Sequence, residues 1–422
     1  MSDDKAQAAL FEKLTGDAPE SPAEPPNFLR HVVSLGLTKA ADGLADVKLV
    51  LSWLMLSLGA PSVMVGLLVP LREAGSLLPQ LIAARLVRRQ GRRKWLWAGS
   101  AAVQGLALLA MALAGLGLQG ALAGAAVLAA LLVLALARAL ASVSYKDVLG
   151  RTLGKGHRGS ATGLASSLAS VAVVVFALFL ISGVVAREAL VIGALALAGA
   201  AFLAAALIFA TLEEPREAPA PAGDHGKALR EMLGHLRADR QFARLVLARG
   251  LLTSTALAPP YLVMLATGAA GQALDALGAM LLASALAALV SGYVWGRLAD
   301  ASARFVLMLT GLAGAFGMAL AVALGAAGLG WALPGALFAL MVAHQGVRLG
   351  RKTYLVDMAP KDRRADYTAL SNTLIGVILM GAGVFGALAS LAGPGVTLLV
   401  FAAMAGAGAL VARGLDEIGE KP

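Results

Sequence analysis

Hydrophobic residues fall into long stretches that are separated by short charged segments. A helix that spans the hydrocarbon core of a bilayer needs about 20 mostly apolar residues. The stretches that meet this length lie at 30–57, 61–84, 95–116, 121–143, 160–184, 189–211, 242–267, 274–297, 304–326, 331–354, 367–391 and 395–413. The pattern therefore predicts an all-α membrane protein with twelve transmembrane helices in two six-helix bundles.

A long polar stretch, residues 213–240, separates the sixth predicted span from the seventh. It opens as a Pro/Ala-rich linker and continues as KALREMLGHLRADRQF, which predicts an amphipathic helix on the membrane surface. The predicted domains are a cytoplasmic tail (1–29), an N-terminal six-helix bundle (30–211), a cytoplasmic linker with the amphipathic helix (212–241), a C-terminal six-helix bundle (242–413) and a cytoplasmic tail (414–422).

The N-terminal segment before the first span is acidic and Pro-rich. Because it lacks the basic start of a secretory signal, we expect no cleaved signal peptide. Its low hydrophobicity predicts a short disordered tail.

Composition supports the membrane class, since 59% of the residues are hydrophobic, 14% are charged and the mean hydropathy is +0.79. The chain has no cysteine, and its five histidines are scattered. No HExxH, P-loop or GxSxG motif occurs, so we predict neither an enzyme nor a metal site nor a cofactor. The net charge of +10 comes from short clusters without interleaved aromatic residues, which argues against nucleic-acid binding.

Lysine and arginine are distributed very unevenly between the two sides of the predicted topology. With both termini on one side, the opposite side receives Arg187 alone. The side of the termini receives Arg88, Arg89, Arg92, Arg93, Lys94, Lys146, Arg151, Lys155, Arg158, the cluster within 216–244, Arg297, Arg304, and the cations from Arg348 to Arg364. The positive-inside rule therefore predicts a multi-pass protein of the inner (cytoplasmic) membrane with both termini cytoplasmic.

The two halves of the chain are also similar to each other. A shift of 206 residues places YKDVLGRTLGKGHRGSATGL over RKTYLVDMAPKDRRADYTAL, so that Lys146 falls on Lys352 and Arg158 on Arg364. Matched charges in matched loops indicate a duplicated six-helix unit. Such repeats are typical of transporters with a central binding site at the repeat interface.

Two short motifs resemble the major facilitator superfamily, and the resemblance extends over essentially the whole chain. GRLAD, which ends at Asp300 and is followed by Arg304, resembles the family's loop between helices 8 and 9. RGSATGL, which begins at Arg158, resembles the start of its helix 5. The resemblance implies a transporter that works by alternating access, with Arg92, Asp300 and Arg304 in gating loops.

The equivalent loop in the first half departs from the family pattern. Ala84 and Arg88 stand where the family usually has glycine and aspartate, while Gly91 and the basic residues that follow are kept. That aspartate normally belongs to a charge relay, so we expect gating on this side to differ. The Gly-Pro motif that marks many drug/proton antiporters on helix 5 is absent from SLASVAVVVFALFLISG.

Arg72 and Glu73 lie in the middle of the second span. At 1.5 Å per residue from Pro61, Arg72 is about 16 Å into the membrane, where an unpaired charge is costly. Neighbours on a helix point about 100° apart, so we expect the two to find partners on helix 1 rather than each other. Helix 1 offers Lys39, Asp42, Asp46 and Lys48. Matching depth from the 58–60 turn predicts the pairs Asp46–Arg72 and Lys48–Glu73.

These charges allow two interpretations. One is a structural ion-pair network that holds helices 1 and 2 together. The other is a site in the central cavity, with Asp46, Glu73 or Asp42 taking up a coupling proton. Asp42 is equally consistent with helix packing or gating. The shift of 212 residues that aligns the adjoining loops places Ser284 and Ala285 at the positions of Arg72 and Glu73, so the fold does not require charges there.

Further candidates for substrate binding follow from the family's cavity-lining helices 1, 4, 7 and 10. Arg138 on helix 4 maps onto His344 on helix 10 by the shift of 206 residues. With Lys48 and Arg72, they would suit an anionic or zwitterionic solute. Alternatively, Arg138 snorkels to the membrane edge and His344 is a packed neutral histidine. We interpret Arg348, Arg351 and Lys352 as positive charge at the cytoplasmic end.

Adjacent prolines interrupt the seventh span. Pro259 and Pro260 predict a break, because proline lacks a backbone donor. The break is either a flexible gate or a packing kink, and Tyr261 beside it is a further candidate for substrate contact.

Three functions remain open. The first is a proton-coupled secondary transporter, a symporter or antiporter, of a small polar solute. The second is a broad-specificity exporter of amphipathic compounds, and the third is a receptor or assembly factor that does not transport. The expected partners are the substrate, a proton or other coupling ion and the lipid bilayer, and we expect a monomer.

Overall fold

The computed structural model describes residues 2–217, 239–268, 276–360 and 364–418. The helices of the first half are α1 (Ser2–Thr15), α2 (Glu24–Leu44), α3 (Val50–Ser57), α4 (Ser62–Leu77), α5 (Gln80–Arg88), α6 (Lys94–Gly117), α7 (Gly120–Thr152), α8 (His157–Ser182) and α9 (Arg187–Ala210). Those of the second half are α10 (Arg240–Leu252), α11 (Ser254–Leu257), α12 (Pro259–Gly268), α13 (Leu277–Ala301), α14 (Ala303–Ala326), α15 (Leu333–Met358), α16 (Arg364–Gly381) and α17 (Val384–Arg413). Most of the predicted amphipathic helix lies outside the described residues.

The described part of the chain is helical, and it forms a multi-pass membrane protein. Within the described residues, eight helical segments are long and apolar enough to cross a membrane, and the pair α4–α5, bent by 41°, would make a ninth. Large apolar side chains such as Leu391, Trp331 and Leu207 are exposed, as expected for helices that face lipid. Two shorter apolar segments, Leu277–Gly292 and Tyr367–Gly381, follow in the second half, and the count of twelve stays a prediction.

The first predicted span is broken in its middle. Helix α2 ends at Leu44 and α3 begins at Val50. Within the break, the carboxylate of Asp46 accepts hydrogen bonds from the backbone N–H groups of Lys48 and Leu49 at 2.9 and 2.8 Å. Asp46 therefore satisfies backbone donors that a helix start leaves without partners. Irregular backbone at this depth is tolerated where it lines a cavity.

The seventh predicted span is interrupted at Pro259 and Pro260, as predicted. Helix α11 ends at Leu257 and α12 begins at Pro259. Neither Pro259 nor Pro260 has a backbone N–H, so the helix hydrogen bonds cannot run through this point. Both prolines are buried, which makes the break part of the packed interior.

Small residues bring the two halves together at the end away from the chain termini. A Cβ added to Gly66 on α4 would lie 2.5 Å from the Cα of Gly386 on α17. A Cβ on Gly278 of α13 would lie 2.9 Å from the backbone nitrogen of Ile181 on α8. Glycine at these two crossings lets the backbones approach to a distance that a larger residue would prevent.

The N-terminal segment is not the disordered tail that its composition predicts. Helix α1 packs on the first half through Phe11, which is fully buried and whose ring lies 5.2 Å from that of Phe28. The buried carboxylate of Glu24 accepts the Gly154 N–H at 2.7 Å and contacts the His157 ring at 2.8 Å. Burial alone would raise the pKa of Glu24, but these hydrogen bonds outweigh it and lower the pKa below its ordinary value. The burial of a few apolar side chains such as Phe11 therefore orders this segment in spite of its polar composition.

Candidate functional site

A cavity of about 680 Å³ lies between the two halves of the molecule. A volume of this size is typical of sites for small molecules. The charged side chains that line it are Lys39, Asp42, Asp46, Lys48, Arg72, Glu73 and Arg138 from the first half and Arg249, Arg348 and Arg351 from the second. His344 also lines it, as do Ser284 and Ala285, the repeat counterparts of Arg72 and Glu73. Cations outnumber carboxylates among these residues.

On the first-half side, Asp42 is the centre of an ion-pair network. Arg138 of α7 pairs with both carboxylate oxygens of Asp42, and its Nη1 lies 2.7 Å from Oδ2. Arg72 Nη2 approaches Asp42 Oδ1 at 3.9 Å. Arg138 also donates through Nε to Gln104 Oε1 at 2.7 Å. Arg138 is thus held inside the bundle by a carboxylate and an amide, and the alternative of snorkelling to the membrane edge is wrong in this conformation.

The predicted pairs Asp46–Arg72 and Lys48–Glu73 are wrong, although Arg72 does find a partner on helix 1 in Asp42. Arg72 Nη1 contacts Glu73 Oε1 at 3.3 Å, so the two sequence neighbours pair with each other. The long side chains bridge the angle between their Cα–Cβ directions, which the prediction treated as too wide. The predicted pair Asp46–Arg72 does not form, and the carboxylate of Asp46 instead accepts from the backbone N–H groups of Lys48 and Leu49 within the break in helix 1.

Lys48 contacts the second half instead of Glu73. Its Nζ lies 3.0 Å from Nε2 of His344 on α15, and His344 Nδ1 lies 3.1 Å from the hydroxyl of Thr255. A lysine ammonium only donates, so Nε2 accepts, and the ring is neutral with its proton on Nδ1. The Thr255 hydroxyl donates to the Leu252 carbonyl at 2.9 Å and accepts from His344. One chain of hydrogen bonds therefore joins the two halves across the cavity.

Lys39 completes the first-half lining on the side of α8. Its ammonium hydrogen-bonds the hydroxyl of Ser166 and approaches the carbonyl of Thr162 at 3.5 Å. Like Arg138, it is held by groups of its own half.

No described ion pair joins the cavity-lining arginines of the second half to a carboxylate. Arg249 donates to Ser371 Oγ at 2.6 Å and to Asn372 Oδ1 at 2.8 Å, both on α16. Arg348 contacts the side-chain oxygen of Gln345 at 3.4 Å, and no hydrogen bond or ion pair joins Arg351 to another described residue. The interpretation of Arg348 and Arg351 as charge at the cytoplasmic end alone is therefore incomplete.

Arg249 was missed by the reasoning from sequence. The signal for it was present, because it lies eight residues into the predicted span 242–267, where a charge is costly.

Tyr261 lies away from these charges. It is 2% exposed, and its ring packs against that of Phe401 at 5.3 Å. A Cβ added to Gly66 would lie 2.7 Å from its hydroxyl, so Tyr261 sits at the close crossing of α4 with the second half. It does not line the cavity among the described residues, and its position is that of a packing residue in this conformation.

In the loop between α5 and α6, Arg93 makes the buried contacts, and the gating role of Arg92 stays a prediction. Arg92 is exposed, whereas the next residue, Arg93, is buried and pairs with Asp147 of α7 and with Glu217 at 3.3 Å. Successive residues at the start of a helix point about 100° apart, so Arg92 faces solvent while Arg93 faces the interior. Glu217 follows α9, so an acidic residue of the linker contacts a loop that lacks the usual aspartate.

In the second half, Arg304 begins α14 and contacts the C-terminal segment. Its Nη1 donates to the carbonyl of Leu415 at 3.1 Å, and its Nε lies 3.0 Å from Glu417 Oε2. Asp300 lies near the end of α13, and its side chain is outside the described ones.

A sequence profile of the Major Facilitator Superfamily matches residues 41–376, which is most of the chain. The protein belongs to the major facilitator superfamily. No curated protein sequence matches it.

Several solved transporter structures share the fold. An aspartate-to-alanine mutant of the nucleoside transporter NupG superposes with a TM-score of 0.72 at 14% identity, covering 92% of this chain and 99% of that one. A D-xylose-proton symporter gives a TM-score of 0.68 at 14% identity, covering 93% and 98%. A POT family transporter in complex with 5-aminolevulinic acid gives 0.68 at 10% identity, covering 93% and 95%. At these identities the likeness establishes the fold alone, which is that of major facilitator transporters.

Proposed function

We propose that the protein is a secondary active transporter that moves a small polar, anionic or zwitterionic solute across the cytoplasmic membrane by alternating access. The observation that carries this proposal is the cavity between the two halves, in which cations outnumber carboxylates. Membership of a transporter family supports it. Both termini are proposed to be cytoplasmic, on the strength of the lysine and arginine distribution.

We further propose that transport is coupled to protons, with Glu73 as the coupling carboxylate. Among the described contacts of its side chain, Arg72 at 3.3 Å is the direct partner. Asp46 is engaged by two backbone N–H groups, and Asp42 by two arginines, so both are less free to exchange partners. A substrate anion that attracts Arg72 would weaken its ion pair with Glu73 and favour protonation of Glu73.

The test separates net transport from exchange. In proteoliposomes that contain the purified protein, Glu73→Gln should abolish accumulation driven by a pH gradient, because the neutral amide cannot carry a proton. Exchange of labelled for unlabelled substrate should persist, since it moves no net proton. Asp46→Asn is the matched comparison and should lose stability rather than coupling. If Glu73→Gln still accumulates substrate in response to pH, Glu73 has a structural role and the proposed coupling is wrong.

The composition of the cavity favours this function over a broad-specificity exporter. The described lining residues include no Phe, Tyr or Trp and a single methionine, Met341. Promiscuous sites for amphipathic compounds rely on large adaptable apolar side chains. A screen of thermal stabilisation against small anions and lipophilic cations distinguishes the two functions, and stabilisation by the cations alone would favour the exporter.

A further inference from the structure

The second-half wall of the cavity holds a buried arginine without a carboxylate partner. Arg249 is 7% exposed, and its two described hydrogen bonds go to a hydroxyl and an amide. Its Nε is buried and has no hydrogen-bond partner. A buried guanidinium that meets only neutral groups has lost water without gaining a counter-charge.

Two further arginines share this wall. Arg348 and Arg351 are separated by three residues on α15, so they lie on one face of that helix, and both line the cavity. Arg249 and Arg351 are close enough to repel each other, as are Arg351 and Arg348. The carboxylate on the opposite side of the cavity is Glu73, and no described ion pair joins it to any of the three arginines.

We infer that Arg249, Arg348 and Arg351 form an anion-binding subsite that receives a doubly charged oxyanion group of the substrate. The inference rests on the proposed transport function and adds the residues and the chemical class of the ligand. Guanidinium groups bind carboxylate and phosphate oxygens in pairs, and three of them offer more donors than one carboxylate can use. The substrate is therefore a small organic anion with either a phosphate group or two carboxylates.

The position of this subsite also connects the two halves. His344 lies on α15 one turn before Arg348, and it contacts Lys48 of the first half. A substrate whose oxyanion group is held by the arginines thus lies beside the hydrogen bond that spans the cavity. Contact with both halves is what a substrate needs in order to bias alternating access.

The experiment measures thermal unfolding of the full-length purified protein in detergent against increasing inorganic phosphate or succinate, with sodium chloride at matched ionic strength as the reference. At least one oxyanion should raise the unfolding midpoint in a saturable manner beyond chloride. Arg249→Gln and Arg351→Gln should each weaken the apparent affinity about ten- to a hundredfold, the range expected for a lost charge-assisted hydrogen bond. Stabilisation by phosphate alone identifies a phosphate group, and stabilisation by succinate alone identifies two carboxylates.

Lys352→Gln provides the matched control. Lys352 follows Arg351 on α15 and is exposed, so the variant loses the same charge from the same helix away from the cavity. It should keep the wild-type affinity. Arg351→Gln should also keep the ligand-free unfolding midpoint, because Arg351 has no described partner to lose.

Three results would overturn the subsite: no effect of either oxyanion beyond chloride, equal weakening by Lys352→Gln, or a large fall in the ligand-free midpoint of Arg351→Gln. Transport assays separate its failure from that of the proposed function. Binding of an oxyanion at the arginines without flux in proteoliposomes would leave the subsite and remove the transport function. Flux of a zwitterionic solute that Arg351→Gln leaves unchanged would remove the subsite and leave the transport function.

Discussion

On the first-half side of the cavity, Arg72 and Arg138 share the carboxylate of Asp42. On the second-half side, Arg249 meets only the side chains of Ser371 and Asn372. Both walls thus place guanidinium groups at the cavity, but one wall pairs them with a carboxylate of its own half and the other does not. The arginines Arg72 and Arg138 of the first wall have a carboxylate partner without any ligand. Arg249 of the second wall has none, so it can still pair with an anion.

This difference assigns separate tasks to the two halves. A carboxylate that is paired with an arginine can change its proton affinity when the pair is disturbed, which suits the first half to coupling. Arginines with neutral partners retain their attraction for an anion, which suits the second half to substrate binding. The repeat supports the division, because Ser284 and Ala285 line the cavity where the first half has Arg72 and Glu73.

The largest expected effect comes from removing the shared carboxylate. Asp42→Asn leaves Arg138 and Arg72 without their common counter-charge, and we expect a loss of about 3 kcal/mol in the free energy of unfolding. The double variant Asp42→Asn/Arg138→Gln should lose less than the sum of its parts, since no unpaired guanidinium remains at Arg138. Denaturant unfolding of the four proteins measures the coupling. Additive effects would show that the first-half wall is not internally neutralised and would remove the contrast between the walls.

Much of the fold could be predicted because a bilayer imposes a length and an apolar composition on every spanning helix. The broken seventh span was predictable for a similar reason, since Pro259 and Pro260 exclude the helix hydrogen bonds directly. Helix α1 was not, because the burial of Phe11 depends on surfaces of Phe28 and His157 that only the folded structure brings together.

The residues of the site could be predicted better than their partners. Charged residues inside apolar spans are conspicuous, so Asp42, Arg72 and Glu73 were found. Their pairing was wrong because it assumed a continuous first helix, whereas the break after Leu44 changes the direction of every side chain that follows. Contacts between the halves, such as Lys48 with His344, carry no signal in the spacing of residues along one chain.

A smaller effect is expected for the hydrogen bond that joins the two walls. His344→Leu removes the acceptor of Lys48 and should cost about 1–2 kcal/mol, as expected for a hydrogen bond to a charged group. His344→Gln keeps an acceptor in a side chain of similar length and should recover part of the loss. A double-mutant cycle with Lys48→Met, measured by thermal unfolding, tests the contact. If Lys48→Met lowers the stability equally in the wild type and in His344→Leu, the two residues do not interact and no hydrogen bond joins the two walls at this point.

The smallest effect distinguishes the two walls through their neutral partners. Gln104→Ala removes the amide that receives Arg138 Nε, and Ser371→Ala removes the hydroxyl that receives Arg249 Nη1. Each should lower the free energy of unfolding by about 1 kcal/mol, the usual net value of a hydrogen bond.

The effects of these two variants on oxyanion binding should differ, because Arg138 stays fixed by Asp42 whereas Arg249 loses one of its two described partners. We therefore expect Ser371→Ala to weaken stabilisation by phosphate or succinate several-fold and Gln104→Ala to leave it unchanged, as measured by the same thermal titration. Equal weakening by both variants would mean that the anion is held by the first wall as much as by the second, and the division of tasks between the halves would be wrong.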